Sequence, residues 1–385
     1  MNGAGVERFD IAIIGAGIAG AGVAALLGDK RRSILIEAEA RPGVHATGRS
    51  AAILIVNYGS AIIRALTRAA VADFESPPTS WQVATLLTPR GNLVVADDDG
   101  VAGLERELAA ADDLHEISVQ KAMELVPILR RDRIRRAAFE PGARDIDVNA
   151  LHQAWLRLFA RSGGTIATES PVRVIRRETL GWSIEAGDRR ILVRILVNAA
   201  GAWGDQVAAL AGIAPIGLTP LRRSIAVVPA PDGLDVTHWP LFGDASESWY
   251  AKPDAGKLLV SPAEEDPVEP QDVQIDDLRL AEGIDRFERA TTHEIRRVLR
   301  GWAGLRSFVP DRTPVLGFEP GAAGFFWLVG QGGYGIQTAP ALSRLAAAVI
   351  LETAAGVPGE TQLLAQLSPR RLQPLTAPAV RPEVY

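Results

Sequence analysis

The sequence predicts an α/β protein of two domains, in which a β-rich α+β domain is inserted into a domain built on a parallel sheet. The first observation is a short buried-strand pattern at 11–14, which runs into Gly-x-Gly-x-x-Gly at 15–20 and then into a helical pattern. The second is a similar strand, glycine loop and helix that starts at 325–329. The third is a series of strand patterns between these two units. Strand–helix units at both ends, with a β-rich stretch between them, indicate an insertion.

The glycine-rich stretch has the spacing of a dinucleotide-binding βαβ unit. Gly15 permits the tight turn, Gly17 lets a pyrophosphate approach the backbone, and Gly20 lets the helix pack closely on the strand. A second apolar strand ends in Glu37, which is placed to accept a hydrogen bond from a ribose hydroxyl. The alternative is a glycine-rich turn without a ligand. The pattern alone does not identify the dinucleotide.

Composition excludes several classes of function. The chain has 385 residues, of which 47% are hydrophobic, so it is long enough to bury a large core. Its net charge of −5 argues against general affinity for nucleic acid or an anionic membrane. It contains no cysteine, which excludes disulfides and thiolate catalysis, and its five histidines are scattered, which argues against a metal site.

The sequence also predicts where the protein resides. The first residues are polar, so we expect no secretory signal peptide. The longest apolar run, 345–351, is far too short to span a bilayer. We therefore expect a cytoplasmic protein without an integral membrane segment.

The first half of the chain gives the following expectations. Small residues at 38–52 predict a loop that either lies against a flat ligand or caps a helix at Thr47 or Ser50. An amphipathic helix is expected over 62–74. Further elements are strands around an Arg90–Gly91 turn (Leu86, Leu87, Leu93 and Val95), a helix over 101–111, and a helix over 145–161 that starts near Asp145 and Asp147.

The second half returns twice to the expected nucleotide site. Strands are predicted at 172–175, 182–186 and 191–198, and the last of these leads into a small-residue segment that ends at Trp203. A β-rich block starts at 218–229, with a charged and mostly helical part at 271–300. The closing elements are a glycine-spaced strand at 301–306, a strand at 325–329, a glycine loop at 330–337 and a helix over 339–354.

Five motifs, taken in order, resemble a known family. They are GAGIAGA at 15–21, HATGRSAA at 45–52, VNAAGAW at 197–203, WAGLRSF at 302–308 and QGGYGIQT at 331–338. Together they resemble the bacterial FAD-dependent D-arginine dehydrogenases of the D-amino acid oxidase/glycine oxidase (DAO) superfamily, over nearly the whole chain. The resemblance implies a Rossmann-type FAD domain, of the two-dinucleotide-binding, glutathione-reductase-like kind, at 1–80, 144–217 and 301–385. It implies a substrate domain at 81–143 and 218–300.

The resemblance also implies that FAD is bound without a covalent link and that no metal takes part. The expected cofactor-binding residues come from the glycine turn, the second strand, the small-residue loop and the two returning segments. They are Gly15, Gly17, Ile18, Ala19, Gly20, Glu37, Ala38, Thr47, Gly48, Arg49, Ser50, Ala51, Ala52, Val172, Ala200, Gly201, Trp203, Gly304, Arg306, Gly332, Gly333, Tyr334, Gly335, Ile336 and Gln337.

In the resembled enzymes two arginines bind the substrate carboxylate, and they match Arg223 and Arg306 here. A guanidinium offers a bidentate fork to a carboxylate, so the chemistry is reasonable. Matching tyrosines, Tyr58 and Tyr250, are expected to line the pocket, and the Gly333 carbonyl is expected to accept from the amino group. The remaining pocket positions are Ile53, Ile55, Asn92, Leu241, Gly243 and Gln337.

Three of these positions depart from the resembled enzymes. Ile53 and Ile55 stand where those enzymes have a histidine and a threonine, and Asn92 stands where they have a glutamate that receives a guanidinium. Loss of that acid and gain of two apolar side chains predict a neutral, hydrophobic side chain on the substrate.

The expected activity is oxidative deamination of a D-amino acid by hydride transfer from Cα to flavin N5, which yields a 2-oxo acid and ammonia. Oxygen, a quinone or an artificial acceptor is expected to take the electrons. Within the same chemistry, the alternative substrates are a glycine-like compound, a secondary amine or a 2-hydroxy acid. An RNA-modifying flavoprotein and a non-catalytic flavin-binding scaffold are the alternatives from other classes. The acidic balance of the chain argues against RNA, and the two arginines argue against a scaffold.

Overall fold

The computed structural model describes residues 5–372. The expected FAD domain extends into 1–4 and 373–385, which lie outside the described residues. The strands of the described part are β1 (Glu7–Arg8), β2 (Ile11–Ile14), β3 (Ser33–Ile36), β4 (Ile53–Leu54), β5 (Leu87–Pro89), β6 (Asn92–Ala96), β7 (His115–Ile117), β8 (Arg136–Glu140), β9 (Arg144–Ile146), β10 (Thr165–Ala167), β11 (Val172–Glu178), β12 (Gly181–Ala186), β13 (Arg189–Val193), β14 (Ile195–Asn198), β15 (Thr219–Pro229), β16 (Leu241–Asp244), β17 (Tyr250–Asp254), β18 (Lys257–Ser261), β19 (Asp266–Pro267), β20 (Arg300–Phe308), β21 (Val315–Phe318) and β22 (Phe325–Val329).

The helices of the same part of the chain are α1 (Ile18–Leu27), α2 (Ala61–Glu75), α3 (Val101–Ala110), α4 (Val119–Leu125), α5 (Val148–Arg161), α6 (Gly204–Leu210), α7 (Asp277–Ala290), α8 (Gly335–Leu351) and α9 (Glu360–Leu367). Short 3₁₀ turns lie at Thr79–Trp81, Gly201–Trp203 and Pro369–Leu372. None of the helices in residues 5–372 is long and apolar enough to cross a bilayer.

The first domain is built on a six-stranded sheet in the order β10-β3-β2-β14-β22-β21. All of its strand pairs are parallel except β21 with β22. All four residues of β2 are buried, as expected of a strand covered on both faces. Helices α1, α5 and α8 pack together over one face of this sheet. The arrangement confirms the predicted Rossmann-type domain.

A four-stranded sheet, β1-β13-β12-β11, lies beside the first one. The sequence predicts a single strand over 191–198, but the structure divides this segment into two strands, β13 and β14, that belong to different sheets. The chain changes sheets at Arg194, because β13 pairs with β12 whereas β14 pairs with β2. The backbone N–H groups of Arg194 and Ile195 both donate to the Asp10 carbonyl, at 3.1 and 3.0 Å, and this pins the crossing point.

The second domain is a nine-stranded mixed sheet. Its order is β19-β15-β18-β17-β16-β6-β8-β7, and β20 pairs with β15 along nine residue pairs. Its largest core packs aromatic side chains such as Trp249 and Phe287 between the sheet and helix α7. The inserted domain is therefore β-rich and has its own core, as predicted.

The packing places two segments differently from the expected domain borders. Trp81, the first residue expected in the substrate domain, packs edge-on against Trp155 at 5.3 Å between ring centroids and lies in the core of the first domain. Strand β20, which was expected in the FAD domain, is part of the substrate-domain sheet. The two domains thus share long stretches of contact rather than meeting at simple linkers.

Several predicted element bounds change for identifiable reasons. Helix α5 begins at Val148 because Asp147 caps it through the Ala150 N–H at 2.8 Å, whereas Asp145 belongs to β9 and pairs with Arg90 and Lys252. The two strands around the Arg90–Gly91 turn lie in different sheets. In the charged part at 271–300 only α7 is helical, and α8 starts four residues before the predicted position. No helix is capped at Thr47 or Ser50.

Candidate functional site

A cavity of about 500 Å³ lies at the carboxyl ends of β2 and β3 and at the N-terminus of α1. Ligands of open α/β sheets bind at this edge. Nearly all of the predicted cofactor residues line it, namely Gly15, Gly17, Ile18, Ala19, Glu37, Ala38, Thr47, Arg49, Ser50, Ala51, Val172, Ala200, Gly201, Trp203, Gly304, Arg306, Gly332, Gly333, Gly335 and Ile336. Five predicted residues are not among its lining: Gly20, Gly48, Ala52, Tyr334 and Gln337.

The glycine turn is required by close backbone packing. Gly15 has φ +97°, and a Cβ placed there would lie 2.5 Å from the Ala199 carbonyl oxygen. A Cβ on Gly20 would lie 1.9 Å from the Gly15 carbonyl oxygen, so Gly20 serves helix–strand packing. The Ile18 N–H at the start of α1 donates to Thr47 Oγ1 at 2.9 Å. The small-residue loop is thereby docked on the helix N-terminus.

Glu37 is held in place by the backbone. Its Oε2 accepts from the Ala16 N–H at 2.9 Å, and its Oε1 accepts from the Glu39 N–H at 3.0 Å. A carboxylate has lone pairs left after two such bonds. Glu37 can therefore accept from a ribose hydroxyl while its orientation is fixed by the protein.

Arg49 lines the cavity, but its guanidinium is occupied by the protein. Its Nη1 donates to the carbonyls of Val273 at 3.1 Å and Ala303 at 2.9 Å, and its Nη2 pairs with Asp272. In return, the Trp302 indole N–H donates to the Arg49 carbonyl at 2.9 Å. Arg49 therefore ties the small-residue loop to the substrate-domain sheet.

One buried polar atom in this cavity fits a bound dinucleotide. The ring of His45 lies 4.8 Å from that of Trp203, and its Nε2 is 2.9 Å from Glu39 Oε1. Its Nδ1 is buried without a hydrogen-bond partner. Such an atom costs free energy unless a ligand or water satisfies it.

Within residues 5–372, no group of three or more His, Asp or Glu side chains is placed to hold a metal ion.

A second cavity, of about 160 Å³, adjoins the first and shares Arg223, Tyr250, Arg306 and Gly333 with it. All of the predicted catalytic and pocket residues line this second cavity: Ile53, Ile55, Tyr58, Asn92, Arg223, Leu241, Gly243, Tyr250, Arg306, Gly333 and Gln337. The structure therefore brings together side chains that the sequence separates by up to about three quarters of its length.

The register of two paired strands places the arginines side by side. Leu221 on β15 faces Arg306 on β20, and Arg223 faces Gly304. Side chains two positions apart on paired strands share a face, so Arg223 and Arg306 are diagonal neighbours. Arg223 is 7% exposed, and its Nε donates to the Glu264 carbonyl at 2.9 Å. The guanidiniums thus meet at the boundary of the two cavities.

The electrostatics of this boundary favour an anion. Burial, and then the neighbouring Arg306 guanidinium, lower the pKa of Arg223. Arg223 is buried and pairs with Glu265 at 3.3 Å, whereas Arg306 is half-buried. The two neighbouring guanidiniums repel each other, and a substrate carboxylate between them would relieve that repulsion. Burial also raises the pKa of Tyr58 far above its usual value, so the phenol stays protonated and can donate. Its hydroxyl lies 3.3 Å from Glu247 Oε2.

The second glycine loop is shaped around these side chains. A Cβ on Gly333 would lie 2.8 Å from Arg306 Nη1. A Cβ on Gly332, where φ is +56°, would lie 2.1 Å from the Phe308 ring. A larger residue at Gly333 would therefore displace the Arg306 guanidinium from its present position. Tyr334, which was expected to bind the cofactor, instead packs on Tyr58 with 5.1 Å between ring centroids.

Gln337 holds the pocket wall through its side chain. Its Oε1 accepts from the Ile55 N–H at 3.3 Å, and its Nε2 donates to Thr67 Oγ1 at 3.1 Å. Gln337 is 4% exposed, so both ends of its amide are buried and satisfied. It therefore positions Ile55, next to the place where the substrate side chain is expected.

Three acidic residues that were not predicted from the sequence also line the second cavity, namely Glu107, Asp244 and Glu247. Burial, and then the charges of Glu247 and Asp244, raise the pKa of Glu107 to about 7. Besides Arg223 and Arg306, no basic side chain is among the described residues that line this cavity. Glu107 lies on a helix with several charged residues, so the sequence pattern contains no signal that singles it out.

Comparison with known proteins agrees with this geometry. A family model described as "FAD dependent oxidoreductase" (DAO) matches residues 10–349. Glycine oxidase of Geobacillus kaustophilus (strain HTA426) is 23% identical over 364 residues, which cover 89% of this chain and 93% of that protein. FAD-dependent oxidoreductase domain-containing protein 1 of Bos taurus is 24% identical over 420 residues, which cover 90% and 82%.

Solved structures share the fold. L-proline dehydrogenase from P. horikoshii superposes with a TM-score of 0.81 at 20% identity and covers 95% of this chain and 98% of that one. Iminodiacetate oxidase from Chelativorans sp. BNC1 gives a TM-score of 0.76 at 24% identity, with coverage of 93% and 98%. The family match spans most of the chain, so the cofactor is FAD. This chain belongs to the DAO family of FAD-dependent oxidoreductases.

Proposed function

We propose that the protein catalyses the oxidative deamination of a D-amino acid to a 2-oxo acid and ammonia. The observation that carries this proposal is the pair of arginines, Arg223 and Arg306, at the junction of the cofactor cavity and the smaller cavity. A bidentate guanidinium on each side of a carboxylate fixes both its position and its rotation. The α-carbon is then held beside the cofactor cavity, and the side chain extends into the smaller one.

The residues of the site orient and polarise the substrate. When bound, FAD supplies the oxidation by accepting a hydride from the α-carbon at its N5 atom. The protein's part is to hold the reacting atoms in place, which supplies a large share of the rate. The Gly333 carbonyl is the proposed acceptor for the amino group. Tyr58 donates its phenolic proton to Glu247 Oε2 in this structure, and we propose that it donates to the substrate carboxylate instead when substrate binds. The imine that results is hydrolysed by water.

Loss of a proton from the substrate ammonium group must precede oxidation, because the nitrogen lone pair assists departure of the hydride. We therefore expect kcat/KM to rise with pH through one ionisation. No side chain of the site is required as a nucleophile.

The side chain of the substrate has two candidates. Ile53 and Ile55 give the cavity an apolar wall, and Asn92 stands where the resembled enzymes have a glutamate. These three residues favour a neutral, hydrophobic side chain on the substrate. The three carboxylates of the same cavity, Glu107, Asp244 and Glu247, favour a side chain that has an apolar stem and ends in a cation. The sequence pattern does not single out these carboxylates, so the second candidate comes from the structure alone.

A glycine-like substrate or a secondary amine is the alternative within the same chemistry. The relatives with glycine oxidase, proline dehydrogenase and iminodiacetate oxidase in their names support the amine class as a whole. A 2-hydroxy acid would use the same arginine pair, and its hydroxyl could also donate to the Gly333 carbonyl, so the substrate panel has to separate it from an amine.

Anaerobic mixing with a substrate panel tests the proposal. Matched D- and L-amino acids, their N-methyl derivatives and the corresponding 2-hydroxy acids are added to the holoenzyme while flavin absorbance near 450 nm is followed. We expect bleaching with one or more D-amino acids and at least tenfold slower bleaching with their L-enantiomers. Faster bleaching by an N-methyl or hydroxy compound would overturn the assignment. Admission of air afterwards reports whether oxygen accepts the electrons.

A further inference from the structure

His152 lies beneath the two loops that line the cofactor cavity. It is on α5, is 4% exposed, and has its Nε2 atom 2.8 Å from the Ala16 carbonyl oxygen. A carbonyl oxygen can only accept, so Nε2 carries the proton and donates. Burial lowers the pKa of His152, against the opposing effects of the Ala16 carbonyl and the Glu37 carboxylate. The ring is therefore neutral, with its proton on the nitrogen that faces the glycine turn.

The hydrogen bond to Ala16 fixes the direction of a neighbouring N–H group. The peptide between Ala16 and Gly17 is planar and trans, so its C=O and N–H point to opposite sides. Holding the carbonyl on His152 aims the Gly17 N–H away from α5. Gly17 lines the cofactor cavity, and no acceptor for its N–H is assigned within residues 5–372. The Ala16 N–H is itself held by Glu37, so the turn is fixed on both sides.

The same imidazole also supports the small-residue loop. A Cβ on Gly43, where φ is +77°, would lie 2.8 Å from His152 Cε1. The Gly43 carbonyl accepts from the Gly48 N–H at 2.7 Å, and this closes the loop. The loop also presents Thr47 to the start of α1. One ring thus contacts both of the segments that the cofactor must fit between.

We propose that His152 is a positioning residue for FAD, which holds the Ala16–Gly17 peptide in the orientation that presents the Gly17 N–H to the pyrophosphate. His152 does not touch the cofactor cavity itself and acts through the peptide. The proposal concerns cofactor affinity, so it holds whichever substrate the enzyme oxidises. Its test needs no substrate.

The test compares two variants of similar size at pH 8, where the imidazole is neutral. His152→Gln keeps an N–H donor near the position of Nε2, and His152→Leu removes it. Apoprotein is titrated with FAD, and the dissociation constant is read from flavin fluorescence. We expect His152→Leu to raise the Kd about tenfold, as for the loss of one hydrogen bond, and His152→Gln to stay within about threefold of the parent.

Two further variants complete the experiment. His293 also donates from Nε2 to a carbonyl, that of Pro229 at 3.1 Å, but it lies in the substrate domain, so His293→Leu should leave the Kd unchanged. His152→Met also lacks a donor and is unbranched, so it should raise the Kd as His152→Leu does, and it tests the proposal if His152→Leu fails to fold. A Kd for His152→Leu or His152→Met equal to that of His152→Gln would overturn it.

Discussion

Arg306 is one of the two arginines proposed to bind the substrate carboxylate. Its position follows from strand pairing, since β15 and β20 place it diagonally beside Arg223. The room for its side chain follows from Gly333, where any Cβ would contact the guanidinium. The carboxylate site is therefore a property of three residues from two paired strands and one glycine loop.

Replacing Arg306 by Met should lower kcat/KM by about 30- to 1,000-fold, because truncating one partner of a desolvated charge pair costs about 2–4 kcal/mol. Arg306→Lys should recover part of the loss, since it keeps the charge but not the fork. The control is Arg300→Met: Arg300 is exposed on the same strand, β20, stacks on Trp302 and lines neither cavity. Steady-state kinetics of the three variants give the comparison. A loss below threefold in Arg306→Met would contradict the assigned role.

Glu107 should make substrate preference depend on pH. Its pKa, raised to about 7, means that the carboxyl is neutral below pH 7 and charged above it. The side-chain ammonium of D-lysine stays protonated throughout this range. The ratio of kcat/KM for D-lysine to that for D-norleucine should therefore rise several-fold from pH 6 to pH 8. The ionisation of the α-amino group affects both substrates and largely cancels in the ratio.

Glu107→Gln is the matched variant for this effect, because it keeps the shape of the side chain and removes its titration. We expect its ratio to be low and nearly flat with pH. Glu105→Gln on the same helix is the control, since Glu105 pairs with Arg136 on the protein surface. A parent enzyme with a flat ratio would instead support the neutral side chain that Asn92, Ile53 and Ile55 suggest.

At the scale of elements, strand and helix patterns predicted the parallel sheet well because its strands are buried on both faces. The four residues of β2 are one example, and in the turn that follows them a Cβ on Gly15 or Gly20 would lie 2.5 or 1.9 Å from a backbone carbonyl oxygen. What the sequence could not give was pairing across long separations. The single strand predicted over 191–198 is divided between two sheets, and the choice depends on partners at β2 and β12, not on local propensity.

The residues of the site also divide into those that could be predicted from the sequence and those that depend on contacts between distant segments. Residues within the five motifs, such as Arg306 and Gly333, were expected in the site because of the family resemblance, and both line the two cavities. Glu107 was missed, because a glutamate on a half-exposed helix is the commonest kind of surface residue. Arg49 was predicted as a cofactor ligand, yet its guanidinium binds the carbonyls of Val273 and Ala303, which only the folded domains bring near it.

Arg49 should therefore stabilise the contact between the small-residue loop and the substrate domain. Arg49→Met removes two partly buried hydrogen bonds and one exposed ion pair, and we expect it to lower the free energy of unfolding by about 1–3 kcal/mol. Arg289→Met is the control, since Arg289 forms an exposed pair with Asp285 on α7 and its loss should cost less than about 0.5 kcal/mol. Urea unfolding at saturating FAD measures both. Equal losses in the two variants would contradict this role.

At the scale of the whole molecule, the cofactor cavity takes its walls from both domains. Gly17 and Glu37 follow strands β2 and β3 of the first domain, whereas Arg223 and Tyr250 lie on strands β15 and β17 of the substrate domain. Ligand bound only by the folded state stabilises it by about 2.7 kcal/mol at one hundred times its Kd. Because the cavity is shared, this stabilisation should act on the two domains together.

Thermal unfolding with and without FAD tests that coupling. The specific entropy of unfolding of globular proteins implies that 2.7 kcal/mol raises the Tm of a chain of this size by about 3 °C. Trp155 lies in the first core and Trp249 in the second, and each is one of eight tryptophans. The fluorescence of the parent minus that of Trp155→Phe therefore reports on the first core, and the parent minus Trp249→Phe reports on the second. We expect FAD to shift both difference signals equally. A shift confined to the Trp155 difference signal would mean that FAD is bound by the first domain alone, and that the substrate domain closes over it without contributing to affinity.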